Sequence, residues 1–145
     1  MKVVFVDFDG VLNSFASHRL ASGETFSAAA CGNLNVILEA VPELKIVVSS
    51  AWRIWGLEKM REILEKNGID KSRVIDITGD EKGSRGYQIQ CWLDRNPGVT
   101  NIVILDDDSD MDHLMNKLVK TNSFIGLTET GAKQAIKVLK APLKG

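Results

Sequence analysis

Four short apolar runs punctuate the chain: Val3–Val6, Ile46–Val48 within KIVVSS, VIDI at 74–77 and NIVIL at 101–105. Each is rich in β-branched residues, too short for a helix and bounded by polar residues, the pattern of strands buried on both faces. Between them the apolar positions recur at helical spacing. Leu34, Ile37, Leu38 and Val41 run up to Pro42, which closes that helix; Leu57, Met60, Ile63 and Leu64 run up to Asn67-Gly68, a common C-terminal stop. Ile89, Trp92 and Leu93 share a face ahead of Pro97-Gly98, and Met111, Leu114, Met115 and Leu118 predict a further helix. A fifth strand is expected at Ser123–Ile125, before a last helix carrying Ala132, Ala135, Ile136 and Leu139. Strands alternating with helices in this way predict an α/β three-layer sandwich with right-handed crossovers and a mostly parallel sheet. The stretch 14–30 is small, polar and weakly periodic, and is expected to form a short loop or flap.

The first run ends on two acids, Asp7 and Asp9, followed by Gly10. In an open α/β sheet, ligands bind beyond the carboxyl ends of the strands, so this spacing leaves two carboxylates at the sheet rim. Strand alternation would aim Asp7 and Asp9 to one side and turn Phe8 into the core. Two acids aimed at one point repel unless a proton or cation lies between them. The fourth run ends on Asp106, Asp107 and Asp108, which alone would read as a solvated turn with Asp108 or Ser109 capping a helix. Beside a second acid-tipped strand, Asp106 and Asp107 instead become candidates to join Asp7 and the carbonyl of Asp9 around Mg²⁺, a hard ion that prefers oxygen. The second run ends on Ser49 and Ser50. Alternation turns Ser49 toward a neighbour and favours Ser50 as a hydroxyl donor at the same rim. Lys82 and Arg85 lie between the third strand and the next helix, and either offers a cation for a transferring phosphoryl group. Trp52, Arg53 and Trp55 cluster just after Ser50, where rings could stack on a base and Arg53 could meet a second phosphate, or both rings could simply pack on the sheet.

Composition narrows these readings. The chain has 145 residues, the length of one domain spanning 1–145, and 18 basic against 19 acidic side chains leave a net charge of −1. Nothing in that balance announces nucleic acid along a long tract or an anionic membrane. Cys31 and Cys91 lack metal-type or CxxC spacing and are expected as reduced core thiols of a cytoplasmic protein. No run approaches the roughly 18 apolar residues of a membrane span. His18 and His113 stand alone and are expected at the surface.

DFDGVLN resembles the first motif of the haloacid dehalogenase-like (HAD) superfamily. IVVSS, the Arg85 segment SRGYQIQCWL and VILDDDSDM follow in the order of that family's remaining motifs, over residues 3–108. The resemblance implies a Rossmann-like sheet of about five strands with a minimal cap or none. Within the superfamily the likeness is to small capless members related to the phosphatase domain of nucleic-acid repair enzymes. It implies Asp7 as nucleophile and Asp9 as acid and base, and places Ser50, Arg85 and Gly10 at the phosphate, with Arg85 preferred over Lys82. Asp7, Asp9, Asp106 and Asp107 then become the Mg²⁺ site. Many members carry Lys where Arg85 stands here, which keeps the charge and changes its geometry.

The implied activity is a Mg²⁺-dependent phosphomonoesterase with an aspartyl-phosphate intermediate. Its open site would suit a bulky phosphorylated substrate such as a nucleotide or a nucleic-acid end carrying a 3′-phosphate, with Trp52 and Arg53 as contacts. A phosphatase of sugar or nucleotide phosphates is the alternative within the class. A signalling domain that stores phosphate on Asp7, or a domain that only binds phosphate, is the alternative outside it. Receivers place their phosphoacceptor on a later strand than their paired acids, whereas here DxD comes first.

Overall fold

A computed structural model describes residues 1–13 and 26–142. Five strands, β1 (Lys2–Val6), β2 (Lys45–Val48), β3 (Val74–Ile77), β4 (Asn101–Asp106) and β5 (Leu118–Lys120), form one sheet in the order β3-β2-β1-β4-β5, and every pairing is parallel. The four helices are α1 (Ala28–Ala40), α2 (Leu57–Lys66), α3 (Arg85–Arg95) and α4 (Glu129–Lys140). The expected fold class is therefore present.

Alternation along the strands sorts the core into two layers. Val4, Val6, Ile46 and Val48 face one side, where Leu34 and Ile37 of α1, Met60 and Leu64 of α2 and Ala135 and Leu139 of α4 cover them. Val3, Phe5, Val47 and Ile104 face the other, under Ile89 and Trp92 of α3. Trp92 meets Phe5 edge-on with ring centroids 5.4 Å apart, and its indole N–H donates to Asp76 Oδ2 at 2.7 Å, so the largest buried ring leaves no orphan donor. Ser27, Ser84 and Thr128 cap α1, α3 and α4 by accepting from the backbone N–H three residues on.

Three expectations are corrected. The expected helix over Met111–Leu118 is a short 3-10 helix, Asp112–Lys117, and Leu118 already belongs to β5. With three residues per turn, Met111 and Leu114 eclipse and are buried, while Met115 rotates off that face and is exposed. The fifth strand is therefore Leu118–Lys120 and not Ser123–Ile125, where Phe124 and Ile125 are exposed in a turn closed by the Asn122–Gly126 bridge. The expected flap at 14–30 ends early, since Phe26 bridges Asn13, Ser27 is a cap and Ala28 opens α1; residues 14–25, with His18, lie outside the described residues.

Both cysteines are free, but only Cys31 is buried; Cys91 on α3 is half-buried, so it is not the core thiol expected. His113 is exposed and pairs with Gln90 Oε1 at 2.6 Å. Among the described residues no helix is long and apolar enough to cross a membrane.

Candidate active site

Three strand ends build the site. Asp7 follows β1 directly and its N–H donates to Leu105 O at 3.0 Å, extending the β1–β4 ladder by one residue and setting Asp7 beside Asp106, the last residue of β4. Carboxylate oxygens of Asp7, Asp106 and Asp107 all lie within 4.8 Å of one another. Asp7 and Asp106 are buried and Asp107 half-buried.

Electrostatics at this cluster are unfavourable without a cation. Burial raises Asp7 to about 6, with Asp107 adding to the rise and the Arg85 guanidinium, the Phe8 N–H and the Ser50 hydroxyl opposing it. Burial together with the Asp7 charge raises Asp106 to about 7. Asp106 Oδ1 accepts from the Asp108 N–H at 2.9 Å, whereas its buried Oδ2 has no hydrogen-bond partner among the described residues. An orphaned buried carboxylate oxygen within an all-oxygen cluster fits a hard divalent cation such as Mg²⁺.

Arg85 supplies the positive edge. It opens α3, and its Nε lies 3.9 Å from Asp106 Oδ2, while its buried Nη1 has no partner among the described residues. Position comes from the backbone. Asp110 Oδ2 accepts the Arg85 N–H at 3.0 Å and the Asp110 carbonyl accepts the Gly86 N–H at 3.0 Å, pinning the start of α3 to the loop after β4. A β-carbon on Gly86 would overlap the Met111 carbonyl, so only glycine allows this approach. Lys82 is exposed, and Arg85 is the one of the two brought to the cluster.

The two serines after β2 have different surroundings. Ser50 turns its hydroxyl toward Asp7 and also accepts the Trp52 N–H at 3.2 Å, whereas Ser49 is buried with its hydroxyl unpartnered.

Asp9 departs from the simple strand picture. Regular extension stops at Val6, and the Phe8 carbonyl accepts from the N–H groups of Val11, Leu12 and Asn13, curling the chain into a turn with Gly10 at φ +80°. Asp9 is exposed and its carboxylate stands outside the three-acid cluster. Its Oδ1 accepts from Asn13 Nδ2 at 2.8 Å and its Oδ2 from Trp52 Nε1 at 3.0 Å.

Gly10, expected at the phosphate, donates its N–H to Asn13 Oδ1 at 3.0 Å. What Gly10 contributes is room, because a β-carbon there would overlap the Asp107 carboxylate. Thr121, at the end of β5, secures the same turn by donating to the Gly10 carbonyl at 2.6 Å.

Trp52, Arg53 and Trp55 sit on a 3-10 helix, Ala51–Trp55, that leaves Ser50. Trp52 is half-buried and meets Phe8 and Phe26 edge-on, both at 5.7 Å. Arg53 is tied to backbone, donating to Gly79 O and Ser50 O at 3.0 Å each, so it braces the second strand end against the loop after β3. Burial and the nearby Arg85 charge lower its pKa, yet a guanidinium stays charged. Trp55 is 68% exposed and, with Asp9, Ala51 and Trp52, lines an open cavity of about 390 Å³. Sequence reasoning missed Asn13, Gly86, Asp110 and Thr121. Asn13 could have been found, since an amide four residues after an acid in a glycine turn is placed to bind it.

A central parallel sheet carrying acids after β1 and β4, a serine after β2 and an arginine opening the helix after β3 defines a HAD-like α/β domain. Residues 3–132 match the family model described as the HAD domain in Swiss Army Knife RNA repair proteins, and the chain belongs to that family. Among solved structures, the HAD domain of the effector protein Lem4 from Legionella pneumophila aligns with a TM-score of 0.63 at 16% identity, covering 96% of this chain and 95% of that one. An inactive mutant of the same domain aligns with a TM-score of 0.62 at 14% identity, covering 96% and 94%. A comparison with curated proteins gave no match. Family membership supports phosphatase-type chemistry in general, and the structural likeness supports the fold.

Proposed function

We propose that the chain is a Mg²⁺-dependent phosphomonoesterase that works through an aspartyl-phosphate on Asp7. The observation that carries this is one juxtaposition: an orphaned acceptor, Asp106 Oδ2, and an orphaned donor, Arg85 Nη1, are both buried beside the Asp7 carboxylate. A cation would satisfy the first and a phosphoryl oxygen the second. Asp7, Asp106 and Asp107 would hold Mg²⁺, which when bound supplies charge neutralisation and keeps Asp7 ionised at neutral pH.

The chain's own groups then divide the work. Asp7 attacks phosphorus in line, while Arg85 and the Ser50 hydroxyl hold the non-bridging oxygens. Asp9 protonates the departing alkoxide, then takes a proton from the water that hydrolyses the acyl phosphate. Its place outside the three-acid cluster, at the mouth beside the cavity, suits a group that must reach the leaving oxygen.

The preferred substrate in this reading is a nucleic-acid end bearing a terminal phosphate, with a lean toward the 3′ end. The family's description as part of RNA repair proteins supports it, as does the open cavity beside Asp9 with the exposed ring of Trp55. Nucleotide and sugar phosphates are the competing substrates.

The test is phosphate release from 3′- and 5′-phosphorylated oligonucleotides, a nucleotide and a sugar phosphate, each with Mg²⁺, with chelator and after Mg²⁺ is restored. Chelator-sensitive turnover, fastest on an oligonucleotide end, is expected. Full activity in excess chelator would remove the metal reading, and a single stoichiometric burst would identify a phosphate store instead of an enzyme.

A further inference from the structure

Trp52 occupies an unusual position for a half-buried tryptophan. Its ring forms a three-way T-shaped cluster with Phe8 and Phe26, which also meet each other, and its indole N–H, a donor with no acceptor capacity, is spent on Asp9 Oδ2 at 3.0 Å. The other oxygen of that carboxylate takes the Asn13 amide at 2.8 Å, and Asn13 is itself buried and fixed by the Gly10 N–H. An exposed Asp at the mouth of an open site would otherwise sample several rotamers. Here two donors on rigid supports, one per oxygen, leave the carboxylate a single orientation.

We infer that Trp52 is a positioning residue for Asp9, holding the carboxyl group at the leaving-group side of the site, and that it is not a stacking platform for substrate. The inference rests on the acid and base role proposed above for Asp9. The indole N–H is committed to that carboxylate, and the ring makes edge-to-face contacts with both Phe8 and Phe26. Trp52 also donates its backbone N–H to Ser50 Oγ, so one residue couples the group that touches the leaving oxygen to the hydroxyl that faces Asp7. Positioning of this kind matters only when the leaving group needs a proton. An alkoxide leaves poorly without one, whereas p-nitrophenolate leaves unaided.

The test compares Trp52→Phe, Asp9→Asn and the unaltered chain on an alkyl phosphate ester and on p-nitrophenyl phosphate, reading kcat/KM, which covers the steps through departure of the alcohol. Phenylalanine keeps an aromatic ring in the cluster and removes the N–H together with part of the indole's volume, and the packing part of that loss acts on both esters alike. Trp52→Phe is expected to lose on the order of 10-fold in kcat/KM on the alkyl ester, less than about 3-fold on the aryl ester, and to keep its inhibition constant for inorganic phosphate. Equal losses on both esters would show a packing role and overturn the inference, as would no loss on either. Asp9→Asn separates the two levels. If it discriminates between the esters and Trp52→Phe does not, the positioning role alone falls; if it fails to discriminate, the acid role of Asp9 falls first. Should Trp52→Phe unfold, Asn13→Ala read on the same ester pair tests the other support of Asp9, and an unchanged ester ratio there would overturn the fixed-carboxylate picture.

Discussion

Gly86 lies against Met111 so closely that a single added methyl group would overlap the Met111 carbonyl oxygen. That contact sets where α3 begins, and the residue just before it is Arg85, whose guanidinium faces the acid cluster. Gly86→Ala is therefore expected to push the start of α3 outward and take Arg85 with it. A loss of about 1–3 kcal/mol of stability in denaturant unfolding should accompany a weaker inhibition by inorganic phosphate. A variant with unchanged phosphate affinity would show that Arg85 is not placed by this contact.

If Asp7 has the roles proposed for it, Asp7→Asn should abolish turnover, by more than roughly 10³-fold, because nucleophile and metal ligand would vanish together. It should also stabilise the metal-free protein. An amide keeps the acceptor for the Phe8 N–H at 2.8 Å and removes a buried charge that burial and Asp107 both disfavour. A rise in the metal-free Tm of about 2–8 °C at pH 8 is the expected outcome of calorimetry, and a fall would contradict the electrostatic account.

The same two acids govern pH dependence. Asp7 and Asp106 are raised to about 6 and about 7, above their unfolded values, so between pH 4 and 7 the folded chain holds more protons than the unfolded one. Their contribution to stability is then complete below about pH 4 and is lost as pH climbs through 6 and 7. Metal-free Tm attributable to this pair should fall with rising pH across that window, and Asp106→Asn should flatten the slope. Mg²⁺ affinity measured by titration should move the opposite way, weakening as pH drops below 7 because protons compete for the same oxygens.

Trp55→Ala separates the two tryptophans. With 68% of the residue exposed, its loss should leave Tm within about 1 °C. If its ring receives a base, the preference for an oligonucleotide end over a sugar phosphate should shrink by on the order of 5- to 150-fold in kcat/KM, the worth of one base–aromatic stack. An unchanged preference would leave a phosphatase of small substrates.

Much of this was legible in the chain because buried parallel strands write themselves as β-branched runs. Val3–Val6 and Ile102–Leu105 announce both the central strands and the acids that follow them. The strand-end serines were visible in the sequence, but the approach of Ser50 to Asp7 is set where the chain leaves β2 and Ser50 caps the 3-10 helix, not by strand alternation. Asp9 was not readable by that rule either, since the chain leaves the strand at Asp7 and the Phe8 carbonyl then organises a turn. The segment after β4 misled for a related reason: a 3-10 turn and an α-turn share the i, i+3 spacing of Met111 and Leu114, and only the exposure of Met115 tells them apart. Gly86 and Asp110 were invisible because their role is a meeting of two loops, and no local pattern records it.

The order β3-β2-β1-β4-β5 has a consequence for synthesis. β1 is made first, yet one of its two neighbours in the sheet, β4, is made long after, and Asp7 meets Asp106 only across that pairing. On a ribosome Asp7 emerges early, while Arg85, Asp106 and Asp107, which complete the cluster around it, belong to later segments, and the pairing that joins Asp7 to Asp106 closes a long loop. The three-acid cluster therefore forms together with the β1–β4 pairing and cannot precede it.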